Sequence, residues 1–254
     1  MALLTALPLT ALQLVVLPPT LAYAGETPDT TERRVVFSDD TPDWLRAVGR
    51  LKVPGSKYHE GRRSHYLEDC SATLVGRPGT ARADILVTAW HCLEFYHDLS
   101  RPILFSLPVR PGTDPGPGLE AYRLADGGGM DADWAILRLH QSLPAQQVRA
   151  LVLHPGAADP ARPISMAGYS RDAGLGDYGR QLTFDPDCLI TRQGQRISDS
   201  NCTAYKGASG GAVVQLLADG QPRYSGVVST GDSANVSNFV PVAGFRRTLE
   251  QFLR

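Results

Sequence analysis

Short apolar segments, bounded by glycine and proline, constrain the fold of this chain more than any other feature of its sequence. The chain has 25 glycines and 19 prolines among 254 residues, and stretches with helical periodicity are scarce. Short apolar runs between turn residues are typical of β-strands. The strands that we predict cover residues 44–51, 71–75, 85–88, 103–107, 134–139, 164–169, 181–184, 212–217, 224–229 and 238–242.

The predicted strands form two groups, and one helix follows the second group. The first group lies in residues 44–143 and contains a proline- and glycine-rich surface loop at 108–118. A linker at 144–163 separates it from the second group, in residues 164–254. The helix is predicted from an apolar stripe of helical spacing formed by Phe245, Leu249, Phe252 and Leu253. This pattern predicts an all-β fold of two antiparallel, six-stranded-type β-barrels with a C-terminal helix.

The charge balance limits the partners that we expect. The chain carries 25 Lys and Arg against 26 Asp and Glu, a formal net charge of -1. A dedicated nucleic-acid binder usually has a basic excess that neutralises phosphates. We therefore expect no nucleic-acid partner, and the composition also excludes a disordered or collagen-like chain.

The N-terminal segment indicates export. The first 24 residues contain no Asp, Glu, Lys or Arg, include apolar runs, and end in Ala22-Tyr23-Ala24, which resembles a signal-peptide cleavage site. No apolar run of about 20 residues follows, so we expect no membrane attachment after cleavage. We predict a signal peptide at 1–24 and a secreted or periplasmic protein. Residues 25–43, polar and with the dibasic pair Arg33-Arg34, are predicted to be a propeptide or N-terminal arm.

Four cysteines fit an oxidising compartment. Cys70, Cys92, Cys188 and Cys202 allow three disulfide connectivities. Pairing in sequence order would close two short loops, each stabilising the fold by about 3 kcal/mol in the chain-entropy account. A zinc site that combines these thiols with His91 would lack closely spaced ligand pairs. We therefore expect two disulfides, Cys70 with Cys92 and Cys188 with Cys202, and no metal or other cofactor.

Three segments carry residues suited to nucleophilic catalysis. In the first, His91 follows an apolar strand and precedes Cys92. In the second, Asp133 precedes the strand at 134–139. In the third, Ser209 lies among glycines in the sequence Gly-Ala-Ser-Gly-Gly, where a tight turn can expose a hydroxyl and aim backbone N–H groups inward. Each segment alone is more often structural: a strand-end histidine, a turn-capping aspartate and a glycine-rich turn.

Together, in the order His, Asp, Ser, the three segments resemble the chymotrypsin-like (trypsin-fold) serine proteases. The order distinguishes this family from subtilisins and α/β-hydrolases. The resemblance extends from about Trp44 to Arg254 and includes the segment Cys70-Ser71-Ala72-Thr73-Leu74-Val75 before the histidine. Within the family, the short chain and the opening of the first domain look closer to the bacterial, glutamyl-endopeptidase-like branch than to animal trypsins.

The resemblance implies a role for each residue of the motif. Ser209 would be the nucleophile, His91 the general base and acid, and Asp133 the group that orients the imidazole. The backbone N–H groups of Gly207 and Ser209 would form the oxyanion hole. Asp131 is the competing acid, but only Asp133 precedes an apolar residue, an alanine and two aliphatic residues as in the family. The other histidines are expected to be surface or structural residues: His59, His65, His97, His140 and His154.

The resemblance also places a substrate pocket. Thr203 occupies the position where trypsins have the pocket-floor aspartate, so the charge partner for Arg or Lys is missing. Lys206 at the rim, with Thr203 and Ser229, would suit a small, polar or acidic side chain. The alternative interpretation is that Lys206 is a solvent-exposed loop lysine with no role in the pocket. Ser229, Thr230 and Gly231 resemble the segment that pairs with substrate backbone.

Ala208 departs from the animal-trypsin pattern, in which an aspartate at this position binds a newly cut N-terminus. An alanine cannot neutralise a buried ammonium. We therefore expect the loop around Gly207 to form without an inserted terminus, held by its own glycines and the Cys188–Cys202 disulfide. Cleavage after Arg34 would then only trim the arm.

The predicted function is that of a secreted serine endopeptidase that acts on protein or peptide substrates as a monomer. Two alternatives remain: a catalytically silent protein that uses the same fold for binding, and an esterase that uses the same triad. All three triad positions are occupied, which counts against the silent protein.

Overall fold

The computed structural model describes residues 32–233 and 236–253. The predicted signal peptide, residues 1–24, and the first part of the predicted arm, residues 25–31, lie outside the described residues. Within the described part of the chain, no helix has the length and apolar character needed to cross a membrane.

The described chain is built almost entirely from strands. In chain order these are β1 Val35–Val36, β2 Val48–His59, β3 Arg62–Gly76, β4 Arg82–Thr88, β5 Ile103–Ser106, β6 Leu119–Asp126, β7 Ala135–Pro144, β8 Leu151–Val152, β9 Ile164–Gly168, β10 Thr183–Cys188, β11 Ile190–Arg192, β12 Ser198–Ser200, β13 Ala212–Leu216, β14 Pro222–Gly231 and β15 Ser237–Pro241. Short 3₁₀ helices cover Asp43–Ala47, Trp90–Leu93, Asp177–Gly179 and Val242–Gly244, and the helix α1 covers Arg246–Phe252.

The first sheet closes into a barrel. Its strand order is β2-β5-β6-β7-β4-β3, and β2 also pairs with β3, so the sheet has no free edge between them. β8 adds to β3 in parallel. Side chains inside the barrel are fully removed from solvent, including Leu51, Leu86, Phe105 and Ile136. Burial of such apolar surface is the main term that stabilises a barrel of this kind.

The second sheet is curled rather than closed in the described residues. Its order is β1-β10-β9-β13-β14-β15-β12-β11. Every pair in it is antiparallel. The fold is therefore the predicted chymotrypsin-like double barrel, with a closed six-stranded barrel, a half-barrel and a C-terminal helix. In α1, the buried Leu249 and the neighbouring Phe245 belong to the predicted apolar stripe.

Several strand bounds differ from the prediction. Residues 43–47 form a 3₁₀ helix, with Trp44 and Leu45 buried, so the first barrel strand begins at Val48 and extends to His59. β12 was missed because serines occupy its inward positions: Ser198 and Ser200 are both buried. The hydroxyl of Ser200 donates to the carbonyl of Ser237 at 2.9 Å, which satisfies the buried group without an apolar side chain. β1, β6, β8 and β11 were also not predicted, because they are very short or largely exposed.

The described part of the N-terminal arm is packed on the second sheet. Val35 and Val36 pair with Phe184 and Thr183 in β10. The side chain of Arg34 is only 2% exposed. This segment adds an edge strand to the half-barrel.

Candidate active site

His91 is fixed at the end of a barrel strand by a disulfide. β4 ends at Thr88, and the chain turns into the 3₁₀ helix Trp90–Leu93. Cys92 is bonded to Cys70 in β3, and Cys188 is bonded to Cys202, as predicted. The Cys70 and Cys92 sulfurs lie close to the ring of His91. They offer no thiolate for a metal, because they are bonded to each other.

Asp133 lies behind His91 and holds it by two hydrogen bonds. Its carboxylate lies 2.8 Å from Nδ1 of His91 and accepts the backbone N–H of His91 at 2.9 Å. Asp133 is fully buried, whereas Asp131 is exposed. Burial opposes ionisation of Asp133, but the hydrogen bonds from His91 and Ser229 hold its pKa below the usual value. The geometry therefore selects Asp133 rather than Asp131 as the partner of His91.

Ser229 was expected at the substrate pocket, but its side chain is bonded to Asp133. Its hydroxyl donates to Oδ2 of Asp133 at 2.5 Å. Its carbonyl accepts the hydroxyl of Ser209 at 3.1 Å. Ser229 therefore connects the buried acid with the candidate nucleophile. The sequence gives no local signal for this contact, since residues 229 and 133 are far apart in the chain.

Ser209 lies in the glycine turn directly before β13. Its carbonyl accepts the backbone N–H of Ser71 at 2.8 Å and lies 3.8 Å from Sγ of Cys92. These contacts bring Ser209 beside the disulfide next to His91. Among the described residues, the partner of its hydroxyl is Ser229 rather than His91. Without substrate, catalytic hydrogen bonds are often long or poorly aligned, and they tighten when the substrate binds.

The loop around Gly207 has a fixed backbone. Gly207 has φ of +94°, and a Cβ there would lie 2.4 Å from the carbonyl oxygen of Tyr169. The carbonyl of Lys206 accepts the N–H of Arg171 at 2.6 Å, and the carbonyl of Ala208 accepts the N–H of Gly211 at 2.8 Å.

These two carbonyls determine where the next N–H groups point. In a trans peptide the N–H is directed opposite to the carbonyl. The N–H groups of Gly207 and Ser209 are therefore directed away from Arg171 and Gly211. Neither of them has an acceptor within the described chain. Both remain available to an external oxygen, as an oxyanion hole requires.

Ser71 stabilises the same loop from the first barrel, and sequence reasoning missed this role. Its hydroxyl donates to the carbonyl of Gly207 at 2.8 Å and accepts the N–H of Tyr169 at 2.8 Å. The side chain is fully buried. A serine beside the half-cystine Cys70 was visible in the sequence, but its partners were not.

The predicted pocket residues lie in different settings. Lys206 is exposed, and so are Thr230 and Gly231 at the end of β14. The N–H of Thr203 donates to Oδ2 of Asp185 at 2.9 Å. Asp185 is 1% exposed and also binds Arg33 at 3.0 Å, so a buried acid that the sequence did not predict lies beside the proposed pocket floor.

The remaining histidines do not join this site. His65, His97 and His140 are exposed. His154 is buried, accepts the N–H of Gly156 at 3.2 Å, and has a pKa lowered by that burial. The side chain of His59 lies outside the described residues.

One cleft within the described residues is separate from these groups. It has a volume of about 520 Å³ and lies between β11, β12 and β15. Its lining residues include Ile190, Gln193 and Phe239 but neither His91 nor Ser209. The candidate active site is therefore identified by its hydrogen-bonded groups and not by this cleft.

Two solved structures that are similar to this chain are serine proteases. A thermostable serine protease, AL20, from an extremophilic microorganism is similar with a TM-score of 0.59 and 19% sequence identity, over 83% of this chain and 98% of that chain. The Rv3671c protease in its inactive form is similar with a TM-score of 0.51 and 15% identity, over 82% of this chain and 89% of that one. No protein-family model and no curated protein matches the sequence. At these identities the similarity establishes the chymotrypsin-like fold.

Proposed function

We propose that the chain is a serine endopeptidase that hydrolyses peptide bonds through an acyl-enzyme. One observation carries the proposal: Asp133 binds both the ring and the backbone N–H of His91, beside a serine whose loop leaves two N–H groups available. The protease fold of the two solved structures supports the same conclusion.

In the acylation step, the hydroxyl of Ser209 exchanges its bond to the Ser229 carbonyl for one to Nε2 of His91. Exchange of one neutral hydrogen bond for another costs little, because the net contribution of one such bond to stability is only about 0.5–1.5 kcal/mol. Ser209 Oγ then attacks the substrate carbonyl as His91 takes its proton. The carbonyl oxygen becomes an oxyanion that accepts the N–H groups of Gly207 and Ser209.

Collapse of this intermediate breaks the C–N bond. His91 gives its proton to the departing amine, and the acyl group stays on Ser209. In deacylation, the second half of the reaction, His91 takes a proton from water, and the resulting hydroxide attacks the ester. The acid product then leaves as His91 returns the proton to Ser209 Oγ. Asp133, with its lowered pKa, stays ionised and stabilises the imidazolium in both halves.

The proposed setting of the enzyme follows from the sequence. Two disulfides fit the oxidising compartment that the predicted signal peptide leads to. We propose a secreted or periplasmic monomer with protein or peptide substrates and no nucleic-acid partner. We propose that Lys206, which is exposed, lies at the pocket rim and suits a small, polar or acidic substrate side chain. The assignment to the glutamyl-endopeptidase-like branch stays a prediction.

Digestion of casein and hydrolysis of a simple ester, each by the purified protein, test the proposal. A protease cleaves both substrates, an esterase cleaves only the ester, and a silent binding protein cleaves neither. Ser209→Ala is expected to lower turnover by a factor on the order of 10⁶. Ser64→Ala, at an exposed serine near the start of β3, is the matched control and should keep wild-type turnover. Unchanged casein cleavage by Ser209→Ala would sink the proposal.

A further inference from the structure

A buried ion pair lies next to the loop that carries Gly207. Arg34 binds Asp172 through two parallel bonds, Nη1 to Oδ1 at 2.8 Å and Nη2 to Oδ2 at 3.0 Å. The exposed fractions of the two side chains are 2% and 13%. Burial opposes ionisation of Asp172, but the bonds from Arg34 hold its pKa below the usual value. A buried charge is costly unless it is paired, so each partner requires the other.

The pair connects the N-terminal arm to the loop at residues 169–182, which joins β9 to β10. Asp172 organises this loop: its backbone carbonyl accepts the N–H of Tyr178 at 2.9 Å, and its Oδ2 accepts the N–H of Gly176 at 3.3 Å. Asp177 and Tyr178 both have positive φ, a backbone conformation that needs support from the surrounding structure. The carboxylate of Asp172 therefore fixes the loop from inside.

The same loop binds the segment around Gly207 at successive points. Arg171, next to Asp172, donates its N–H to the carbonyl of Lys206 at 2.6 Å. The hydroxyl of Ser170 accepts the N–H of Tyr205 at 3.4 Å. The guanidinium of Arg34 lies 4.3 Å from the ring centroid of Tyr205. Arg34 thus contacts both the loop and the segment that the loop supports.

We infer that Arg34 and Asp172 are positioning residues that hold the N–H of Gly207 in its oxyanion-binding orientation. The Arg171 bond to Lys206 determines the direction of this N–H, and the ion pair determines where Arg171 lies. The inference rests on the proposed function and deepens it. It assigns the arm a part in catalysis, whereas the sequence suggested a segment that could be trimmed after Arg34.

Arg33 anchors the same arm at a second point. Its guanidinium binds Asp185 at 3.0 Å and the carbonyl of Asn201. Cleavage between Arg34 and Val35 would detach both arginines from the chain that forms the barrels. We therefore expect the N-terminus of the active protein, determined by mass spectrometry, to lie at or before Arg33. A protein that begins at Val35 and has the kcat of the chain that retains Arg33 and Arg34 would overturn the inference.

Kinetics of the purified protein with Arg34→Met provide the main test. All rates are normalised to the active fraction, titrated with a fluorophosphonate. We expect kcat to fall about 10- to 100-fold with little change in KM, because displacement of an oxyanion donor acts on the transition state. The affinity for a peptide aldehyde, whose adduct oxygen occupies the oxyanion site, should fall by a similar factor. A merely structural pair would leave both quantities unchanged in the folded fraction.

Three further variants complete the test. The control Arg192→Met breaks an exposed two-bond pair with Asp199 and should keep the wild-type kcat. Arg34→Lys retains the positive charge but can form only one of the two bonds to Asp172, so it should give an intermediate kcat. If Arg34→Met does not fold, Arg34→Lys is the variant that tests the inference. The double variant Arg34→Asp and Asp172→Arg, which reverses the ion pair, should recover part of the lost kcat.

The outcomes separate this inference from the proposed function. If folded Arg34→Met has the wild-type kcat and aldehyde affinity, the ion pair has no positioning role, but the protease assignment stands. If Arg34→Met does not fold, the same result in Arg34→Lys leads to the same conclusion. A folded wild-type protein that hydrolyses neither casein nor an ester would overturn the proposed function, and the catalytic role of the pair with it.

Discussion

The hydroxyl of Ser229 donates a hydrogen bond of 2.5 Å to Oδ2 of Asp133, the oxygen that also faces Nδ1 of His91. This bond gives the buried carboxylate a partner that does not change when the histidine accepts and releases a proton. A hydrogen bond to a charged group is worth about 1.5–3 kcal/mol. Ser229 therefore helps to keep Asp133 ionised.

Removal of this hydroxyl should affect both stability and turnover. We expect Ser229→Ala to lower the free energy of unfolding by about 1.5–3 kcal/mol and to reduce kcat, because Asp133 loses a bond. Urea denaturation and casein hydrolysis measure the two effects. Ser225→Ala is a control in the same strand, where the hydroxyl bonds only to the carbonyl of Arg223. Equal effects of the two substitutions on kcat would contradict this role of Ser229.

The choice between the two candidate acids can be tested directly. Asp133→Asn should lower kcat by about 10⁴, because the amide holds the wrong tautomer of the imidazole. Asp131→Asn should have little effect, since Asp131 is exposed. Active-site-normalised kcat values of both variants give the comparison. The reverse ranking would make Asp131 the partner of His91.

Ser71 and Thr73 provide a matched pair of buried hydroxyls in β3. Ser71→Ala leaves the carbonyl of Gly207 and the N–H of Tyr169 without their partner and should lower the free energy of unfolding by about 1–3 kcal/mol for each group. The hydroxyl of Thr73 has no partner in the described chain. Thr73→Val should therefore be neutral or stabilising. Urea denaturation measures both variants. If Thr73→Val lowers the free energy of unfolding as much as Ser71→Ala does, this account of Ser71 is wrong.

Acid should destabilise the fold through Asp133 and Asp172. Both carboxyl groups have a lowered pKa in the folded chain, whereas the pKa of an Asp in the unfolded chain is about 3.9. The unfolded chain therefore binds protons first, and stability falls as the pH drops from about 4 through the lower folded pKa values.

Urea denaturation at pH values between 7 and 3 measures this loss. Asp172→Asn should be less stable at pH 7 but should lose less stability on acidification than the wild-type protein does. Asp219→Asn, in an exposed turn, is the control and should follow the wild type. An Asp172→Asn variant with the wild-type pH dependence would contradict the linkage.

The sequence predicted those parts of the structure that depend on local pattern. Ten of the fifteen strands, the terminal helix and the two disulfides follow from apolar runs, turn residues and cysteine order. The residues proposed as a triad were found because each stands in a short motif, and the structure places Asp133 rather than Asp131 on His91.

What the sequence did not predict comes from contacts between distant residues. Arg34 meets Asp172 across 138 positions, and no local pattern marks either residue as a partner. A dibasic pair in a polar segment is typical of a cleavage site, so the burial of Arg34 could be seen only in the folded structure. The hydroxyls of Ser71 and Ser229 were missed for the same reason, since a buried serine has no periodic signal.

Titration with a fluorophosphonate tests the central claim that Ser209 is an activated nucleophile. The purified protein should take up about one phosphonate per chain, mapped to Ser209 by peptide mass spectrometry, and casein hydrolysis should fall in proportion to the labelled fraction. Casein hydrolysis that persists in fully labelled protein, or a label that maps to another residue, would contradict the account.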